Sequence, residues 1–161
     1  REEVAQAGLR EWLTLGPWLT VPERDKALDQ SDVLVLPSYN EGLPMAILEA
    51  MAHGLAVVAT PVGGIPDAVL HGFNGLLIPC GDVEALASAL EVLQREPETL
   101  ARFQAAGRER AIRLFCHQRV FDHLDSLWTR LVEGLCQTGE ESAPEQKRTL
   151  IDRFEIDDLQ R

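Results

Sequence analysis

Three short stretches of this chain are almost continuously apolar. They cover residues 32–37, 55–60 and 76–79, and they are rich in Val, Leu, Ile and Ala. Continuous apolar runs of this length are typical of strands that are buried on both faces of a parallel sheet. Helical patterns separate the runs, and strands that alternate with helices predict an α/β fold with a parallel sheet.

The helix after the first strand has clear signals at both ends. Pro44 stands where the first turn tolerates proline, and Gly54 is a natural C-terminal cap, so we predict a helix from Pro44 to His53. The remaining predicted helices cover 1–14, 23–28 behind Pro22, 67–70, 82–95 with Asp82 as cap, 97–115 with a break, and 117–136. Segment 15–19 is interpreted as a brief strand or turn.

The composition becomes polar and acidic from Gln137 onwards. We therefore predict one domain over residues 1–136 and a flexible tail over 137–161. Five spaced apolar residues in the tail leave one or two amphipathic turns open as an alternative: Leu150, Ile151, Phe154, Ile156 and Leu159. The chain begins with Arg1 rather than Met, and we expect a fragment or a processed product.

Composition and charge argue against several classes of partner. The 161 residues carry a net charge of −11, whereas nucleic-acid and anionic-membrane surfaces need clustered Lys and Arg. No apolar run reaches the roughly 18 to 20 residues that span a bilayer. The three cysteines (Cys80, Cys116, Cys136) are far apart and odd in number. We therefore expect reduced cytosolic thiols, with neither a disulfide framework nor a metal site.

The candidate chemistry lies in the loop and helix that follow the first strand. Glu41 stands just before this helix and Glu49 inside it, although the helix is otherwise almost entirely apolar. The loop and the later Gly63-Gly64 turn both follow the carboxyl ends of strands, which is where open parallel sheets bind ligands. A charge in an apolar setting is costly, so the two carboxylates indicate a ligand rich in hydroxyl groups.

The spacing of these groups suits a nucleotide-sugar. Free N–H groups at the start of the Pro44 helix favour a phosphate, and Glu49 lies roughly 7 to 8 Å further along the helix. A carboxylate there can accept hydrogen bonds from the two hydroxyls of a ribose, while Glu41 would bind a second polyol beyond the phosphates. The alternatives are a solvated loop glutamate at position 41 and a capping or salt-bridging glutamate at position 49.

This predicted site lacks cations of its own. No Lys or Arg occurs between Lys26 and Arg95, whereas a diphosphate is doubly negative and Glu41 and Glu49 add two charges. A helix N-terminus offers only about half a charge. We therefore expect the neutralising cations to come from outside residues 27–94, in an upstream segment that this sequence lacks.

The spacing of motifs across these elements matches a known pattern. It consists of a strand that ends in Pro-Ser, two glutamates with seven residues between them, a Val-rich strand and a Gly-Gly turn. The matching segments are Leu36-Pro37-Ser38, Glu41-Gly42-Leu43-Pro44, Glu49-Ala50-Met51-Ala52, Val57-Val58-Ala59-Thr60, Gly63-Gly64 and Asn74-Gly75-Leu76-Leu77. The sequence thus resembles the retaining glycosyltransferase family four, or group one glycosyltransferases. The match is dense over residues 32–79, and weaker similarity covers about 15–131.

The resemblance implies a fold and a set of residue roles. The fold would be a Rossmann-like parallel sheet with flanking helices, as part of the C-terminal domain of a GT-B fold, followed by C-terminal helices. Glu41 would be the catalytic-site residue that contacts the transferred sugar, and Glu49 would hold the ribose. Gly42, Leu43, Pro44 and Met45 would line the sugar and phosphates, and Thr60, Gly63 and Gly64 would border the nucleotide pocket.

The reaction implied by the resemblance moves a sugar from a UDP- or GDP-sugar to a glycan or lipid-linked acceptor, with retention and without an essential metal. It would serve polysaccharide or glycoconjugate biosynthesis in the cytoplasm, with the inner face of the membrane as an alternative. The family stabilises the leaving diphosphate with a Lys/Arg pair and helix dipoles. Its acceptor domain and the strands that carry that pair have no counterpart in this sequence, so we expect the fragment alone to be inactive.

Other interpretations stay open at this point. The chain could belong to a GT-B-fold epimerase or phosphorylase, or to a non-catalytic nucleotide-sugar-binding or interaction module that docks through its acidic surface. A receiver-like signalling domain fits less well, because no phosphorylatable Asp stands at a strand end. His53 is either a cation at a helix C-terminus or a partner of Glu49.

Overall fold

The structure is a computed structural model, and it describes residues 6–9 and 11–137. Within these residues, three parallel strands form one sheet in the order β1-β2-β3. The strands are β1 (Val33–Leu36), β2 (Ala56–Ala59) and β3 (Gly75–Leu77). Val33 pairs with Ala56, and Val57 pairs with Gly75. The predicted α/β fold with a parallel sheet is therefore confirmed.

Helices occur at nearly all the places in the sequence where they were predicted. Their bounds are α1 (Val21–Asp29), α2 (Met45–His53), α3 (Ile65–Ala68), α4 (Val83–Arg95), α5 (Pro97–Phe115) and α6 (His117–Gln137). Gly54 ends α2 with a φ of 82°, a left-handed conformation that glycine adopts without strain. The Asp82 carboxylate accepts a hydrogen bond from the Ala85 N–H at 2.9 Å, which confirms its capping role at α4.

A hydrogen-bonded turn fixes the start of α1. The Glu23 carboxylate accepts hydrogen bonds from the hydroxyl of Thr20 at 2.6 Å and from its backbone N–H at 2.8 Å. Both bonds favour the ionised form, so they hold the pKa of Glu23 below its ordinary value, the hydroxyl contributing most. The helix begins with Pro22 in its first turn, as predicted.

The core lies on both faces of β2, whose four residues are fully buried. Val57 and Ala59 pack on one side with Ile47 and Met51 of α2 and with residues of α3. Ala56 and Val58 pack on the other side, in a cluster with Ala89, Leu93 and Phe103. The result is a helix–sheet–helix sandwich. β1 is only half-buried rather than buried on both faces as predicted, because it stands at the edge of the described sheet.

Helix α5 runs along the amino edge of the sheet. The Gln104 side-chain amide donates to the carbonyl of Asp32, just before β1, at 3.2 Å. Gly107 lies close to the carbonyl oxygens of Leu55 and Asn74, which precede β2 and β3. The predicted break in this helix is wrong, since α5 is continuous over its 19 residues. Packing of α5 on the sheet through the buried residues Phe103 and Ala111 outweighs the low helix propensity of Gly107.

Two further sequence predictions are wrong at the N-terminal end. The predicted helix over 1–14 is wrong for residues 7–9 and 11–14, which form turns and irregular backbone, with a φ of 68° at Gly8, whereas Gln6 is helical and residues 1–5 and 10 lie outside the described residues. Segment 15–19 has no regular structure, although a brief strand or turn was predicted. All residues from Glu11 to Thr20 are exposed, so no apolar face is buried that would stabilise an element.

The short helix after the Gly-Gly turn begins earlier than predicted, at Ile65 instead of Asp67, because its first turn accommodates Pro66. The segment that follows is held by Asn74, which is fully buried. Its side-chain oxygen accepts from the Leu70 N–H at 2.7 Å, and its amide donates to the Ala68 carbonyl at 3.0 Å. These two bonds satisfy the buried polar group.

Contacts divide the chain into two compact units, Arg1–Arg119, which holds the sheet, and Val120–Arg161. The predicted tail lies, apart from Gln137, outside the described residues, and the domain boundary at 136 stays a prediction. Among the described helices, none combines the length and the apolar character that a bilayer crossing requires.

Candidate functional site

The loops that follow the three strands meet at the carboxyl edge of the sheet. The carbonyl oxygen of Ser38, after β1, is their common point. It accepts a hydrogen bond from the hydroxyl of Thr60, after β2, and a longer one from the Cys80 thiol, after β3, at 3.8 Å. Thr60 is fully buried, so its hydroxyl joins the first two loops from the interior of the protein. Its predicted contact with a ligand stays a prediction.

The first two loops also interlock through their glycines. The Gly64 N–H donates to the Gly42 carbonyl at 2.7 Å. Gly63 has a φ of 56°, and a Cβ atom at this position would lie 2.0 Å from the Glu41 carbonyl oxygen and 2.6 Å from that of Gly42. Only glycine allows the backbones to approach so closely. The Gly-Gly turn therefore determines where the glutamate-bearing loop lies.

The Glu41 side chain is held within its own loop. The Ser38 hydroxyl donates to Glu41 Oε1 at 2.8 Å, and the glutamate is half-buried. The other carboxylate oxygen has no hydrogen-bond partner among the described residues. Glu41 is thus an oriented acceptor rather than a freely solvated loop residue, and it retains capacity for a ligand hydroxyl.

The start of α2 is open in the way that an anion site requires. Pro44 occupies the N-cap position and makes no side-chain hydrogen bond to the helix, and the first turn carries no acidic residue. Leu43 and Met45, on either side of Pro44, are 37% and 63% exposed. The Ile47 N–H donates to the Pro44 carbonyl at 3.1 Å, which leaves the N–H groups of Met45 and Ala46 for an incoming phosphate, together with the positive end of the helix dipole.

Helix α2 has two apolar faces, which explains its composition. One face enters the core through Ile47, Ala50 and Met51. The opposite face lines an open pocket of about 280 Å³, whose walls are Met45, Leu48, Glu49 and Ala52 of α2 and Ala111, Ile112, Phe115 and Cys116 at the end of α5. Glu49 therefore stands at the wall of an apolar pocket and not in the core, and its side chain is 30% exposed.

Glu49 is paired with a cation from α1. Arg24 Nη1 lies 3.1 Å from Glu49 Oε1, so the salt-bridging alternative for this residue is observed. The contact engages one carboxylate oxygen and leaves the other for a ligand. The cation comes from outside residues 27–94, as the charge deficit predicts, but for Glu49 it lies within this chain and not in an upstream segment.

Arg24 is the functional candidate that the sequence did not reveal. The charge deficit indicates only that a cation is needed, and both Arg24 and Lys26 stand shortly before β1 in the sequence. The packing of α1 against α2 makes the choice. His53, which was a candidate partner of Glu49, instead places Nδ1 2.7 Å from the carboxylate of Asp29.

A second arginine holds the short helix α3, which follows the Gly-Gly turn. Arg110 of α5 donates from Nε to the Ala68 carbonyl at 3.1 Å and from Nη2 to the Asp67 carbonyl at 2.7 Å, which fixes the end of α3. Burial lowers the pKa of Arg110, while the charge of Asp67 acts in the opposite direction. Within residues 6–9 and 11–137, no group of three or more His, Cys, Asp and Glu side chains is placed to hold a metal ion.

Known proteins share both the sequence and the fold of this chain. The family model described as glycosyl transferases group 1 matches residues 1–96. The D-inositol 3-phosphate glycosyltransferase of Pseudarthrobacter chlorophenolicus is 39% identical over 113 residues, 70% of this chain and 26% of that protein. The putative colanic acid biosynthesis glycosyltransferase WcaL of Salmonella typhimurium is 39% identical over 107 residues, 62% of this chain and 26% of that protein. The chain thus spans about a quarter of the length of these relatives.

Solved structures agree with this assignment. Sucrose-phosphate synthase from Thermosynechococcus elongatus matches with a TM-score of 0.75 and 28% identity, over 83% of this chain and 33% of that chain. HepE of Anabaena, in complex with UDP, matches with a TM-score of 0.67 and 25% identity, over 78% of this chain and 35% of that chain. The resemblance found in the sequence is confirmed, and the chain belongs to the group 1 glycosyltransferase family.

Proposed function

We propose that this chain forms the donor-binding part of a retaining glycosyltransferase that uses a nucleotide-sugar. The observation that carries the proposal is the interlock of Gly63 and Gly64 with the backbone of Glu41 and Gly42. It fixes Glu41, the open start of α2 and, through the helix, Glu49 as one rigid unit. Two hydroxyl acceptors on either side of an anion site match the layout of sugar, diphosphate and ribose.

The donor would lie along this unit in one direction. Its transferred sugar contacts Glu41, the diphosphate meets the N–H groups at Gly42, Leu43 and Met45, and the ribose reaches Glu49. The Anabaena HepE structure contains UDP, which supports a uridine nucleotide as the first donor to test. WcaL, whose name refers to colanic acid biosynthesis, supports a role in polysaccharide assembly.

The chemistry would be a front-face displacement. The bond between the anomeric carbon and the diphosphate oxygen breaks, the acceptor oxygen bonds to that carbon on the same face, and the acceptor proton passes to the leaving phosphate. The start of α2 stabilises the developing charge with about half a positive charge. The rest would come from a Lys/Arg pair and from an acceptor-binding part outside these residues, without an essential metal.

The 161 residues alone should therefore not catalyse transfer. We expect them to hydrolyse UDP-glucose or GDP-mannose no faster than buffer does, because the phosphate cations and the acceptor half of the cleft are missing. The complete natural chain that contains these residues is the comparison, and release of UDP or GDP is the measurement. Equal rates for the two proteins would disprove this expectation, and a new nucleotide-sugar formed from donor alone would indicate an epimerase.

The roles of the two glutamates can be separated by comparing a nucleotide with its sugar conjugate in the complete chain. Glu49→Ala should raise the dissociation constants of UDP and of UDP-glucose by the same factor, about tenfold or more. The reason is that a hydrogen bond to a charged group is worth about 1.5 to 3 kcal/mol. Glu41→Ala should weaken only UDP-glucose, because UDP lacks the sugar that Glu41 contacts. Titration calorimetry gives both dissociation constants.

Glu91→Ala is the control for loss of one negative charge, since Glu91 pairs with Arg95 on the exposed face of α4. It should leave both dissociation constants unchanged. If the Glu49→Ala variant bound UDP as tightly as the wild type, the proposal that Glu49 binds the ribose would be wrong. An equal loss of UDP and UDP-glucose binding in the Glu41→Ala variant would remove the sugar role.

A further inference from the structure

The Arg24–Glu49 ion pair is not explained by stability. The two side chains are 42% and 30% exposed, and ion pairs of this kind contribute little to folding. Arg24 Nε is buried without a hydrogen-bond partner among the described residues, which is unfavourable. Helix α1 has no buried residue, so the pair is not part of a packed core. Features that cost stability in this way are typical of functional sites.

The geometry of the pair suits a role in orienting Glu49. Arg24 Nη1 contacts only Oε1, at 3.1 Å, and Arg24 Nη2 contacts Asp25 Oδ1 at 3.3 Å. The guanidinium is thereby held at two points, and it fixes the rotation of the Glu49 carboxylate. Oε2, which has no partner among the described residues, is left as the acceptor for a ligand hydroxyl.

The charge of Arg24 also matters to an anionic ligand. Glu49 lies roughly 7 to 8 Å along α2 from the proposed diphosphate site, and a lone carboxylate at this distance would repel the phosphates. Residues 27–94 contain no Lys or Arg to offset it. Arg24 is the cation that the structure places against Glu49, so it lets a carboxylate bind the ribose of a nucleotide that is itself negative.

We propose that Arg24 is a positioning residue for nucleotide binding. It holds the Glu49 carboxylate in the orientation that accepts hydrogen bonds from the ribose hydroxyls, and its positive charge offsets the negative charge of Glu49 near the phosphates. The proposal rests on the proposed function, because it presupposes that Glu49 binds the ribose. Arg24 itself does not touch the ligand in this arrangement. Its effect should therefore be visible only for ligands that carry the ribose hydroxyls.

The competing explanation is that Arg24 merely attaches α1 to α2. The structure offers a control for it, because Asp29 and His53 link the same two helices with a contact of 2.7 Å. Asp29→Asn weakens this second link and leaves Arg24 and Glu49 intact. If attachment of α1 were the only role of Arg24, Arg24→Met and Asp29→Asn would have similar effects.

The test compares UDP with 2′,3′-dideoxy-UDP in the complete natural chain. Removal of both hydroxyls should weaken binding about tenfold in the wild type, which is the expected loss of a charge-assisted contact. The ratio to follow is the dissociation constant of 2′,3′-dideoxy-UDP divided by that of UDP. In the Arg24→Met and Glu49→Ala variants this ratio should fall below about threefold, and UDP itself should bind more weakly. Asp29→Asn should keep the wild-type ratio. GDP and 2′,3′-dideoxy-GDP form the parallel pair of probes.

Each outcome decides a separate point. An Arg24→Met variant with the wild-type ratio overturns the positioning role while the proposed function stands, and so does an Asp29→Asn variant that loses the ratio as fully as Arg24→Met. A wild-type protein that binds nucleotide without any preference for the ribose hydroxyls overturns the role of Glu49 and of Arg24 together. A wild-type protein that binds neither UDP nor GDP overturns the proposed function, and the inference with it.

Discussion

Replacing Gly63 with alanine is expected to abolish nucleotide binding and to lower the free energy of unfolding by about 3 kcal/mol or more. A left-handed φ, here 56°, costs an L side chain about 1 to 2 kcal/mol. The new Cβ atom would also lie 2.0 Å from the Glu41 carbonyl oxygen, so one of the two backbones has to move. Overpacking of this kind adds about 1 to 3 kcal/mol.

The movement at Gly63 would spread to the donor site. The hydrogen bond of 2.7 Å from the Gly64 N–H to the Gly42 carbonyl joins the same two loops, and it would lengthen or break. Glu41 and the start of α2 would then lose the positions in which they meet sugar and phosphate. Urea unfolding gives the stability change, and titration with UDP gives the loss of affinity.

Gly72→Ala is the matched control. Gly72 also has a left-handed φ, 77°, but no atom lies within 4 Å of the position that a Cβ would take. This variant should pay only the conformational cost of about 1 to 2 kcal/mol and keep its affinity for UDP. If Gly63→Ala were no more destabilising than Gly72→Ala, or bound UDP like the wild type, the interlock would not organise the site.

The sequence was sufficient to predict elements whose signals are local. Pro44 and Gly54 mark the ends of α2, and the continuous apolar run 55–60 marks β2, because proline, glycine and buried strands each leave a pattern within a few residues. The interior of α5 was misjudged for the same reason. The break predicted within 97–115 is absent because tertiary packing decides here: Leu55 and Asn74, which lie next to Gly107, are more than 30 positions away in the sequence.

The sequence was sufficient to predict which residues form the candidate site, but not which side chains pair with them. The two glutamates and the Gly-Gly turn follow the strand ends where a parallel sheet binds ligands, and topology alone brings them together. The partner of Glu49 could not be predicted in this way. Arg24 reaches it from a helix with no buried residue, by a long side chain whose direction no periodic pattern records.

Replacing Gly75 with alanine should unfold the protein or leave it barely stable. Gly75 begins β3 and pairs with Val57 of β2, and a Cβ here would lie 2.5 Å from the Val57 carbonyl oxygen and 2.8 Å from Val69 Cγ1. Strands β2 and β3 would have to separate within the core. A loss of about 3 kcal/mol or more is a large part of the roughly 5 to 15 kcal/mol that stabilise a typical domain.

Gly107→Ala should raise the free energy of unfolding, whereas Gly75→Ala should lower it. The two variants together therefore test the packing around the sheet. A Cβ at Gly107 would lie 3.7 Å from the Asn74 carbonyl oxygen and from Met51 Cγ, an ordinary contact, so the substitution should stabilise α5 by about 0.5 to 1 kcal/mol. Urea midpoints give both values.

Adding Val69→Ala to Gly75→Ala should restore only part of the stability lost, because the clash with the Val57 carbonyl stays. A neutral Gly75→Ala variant, or full rescue by Val69→Ala, would contradict the close approach of β3 to β2.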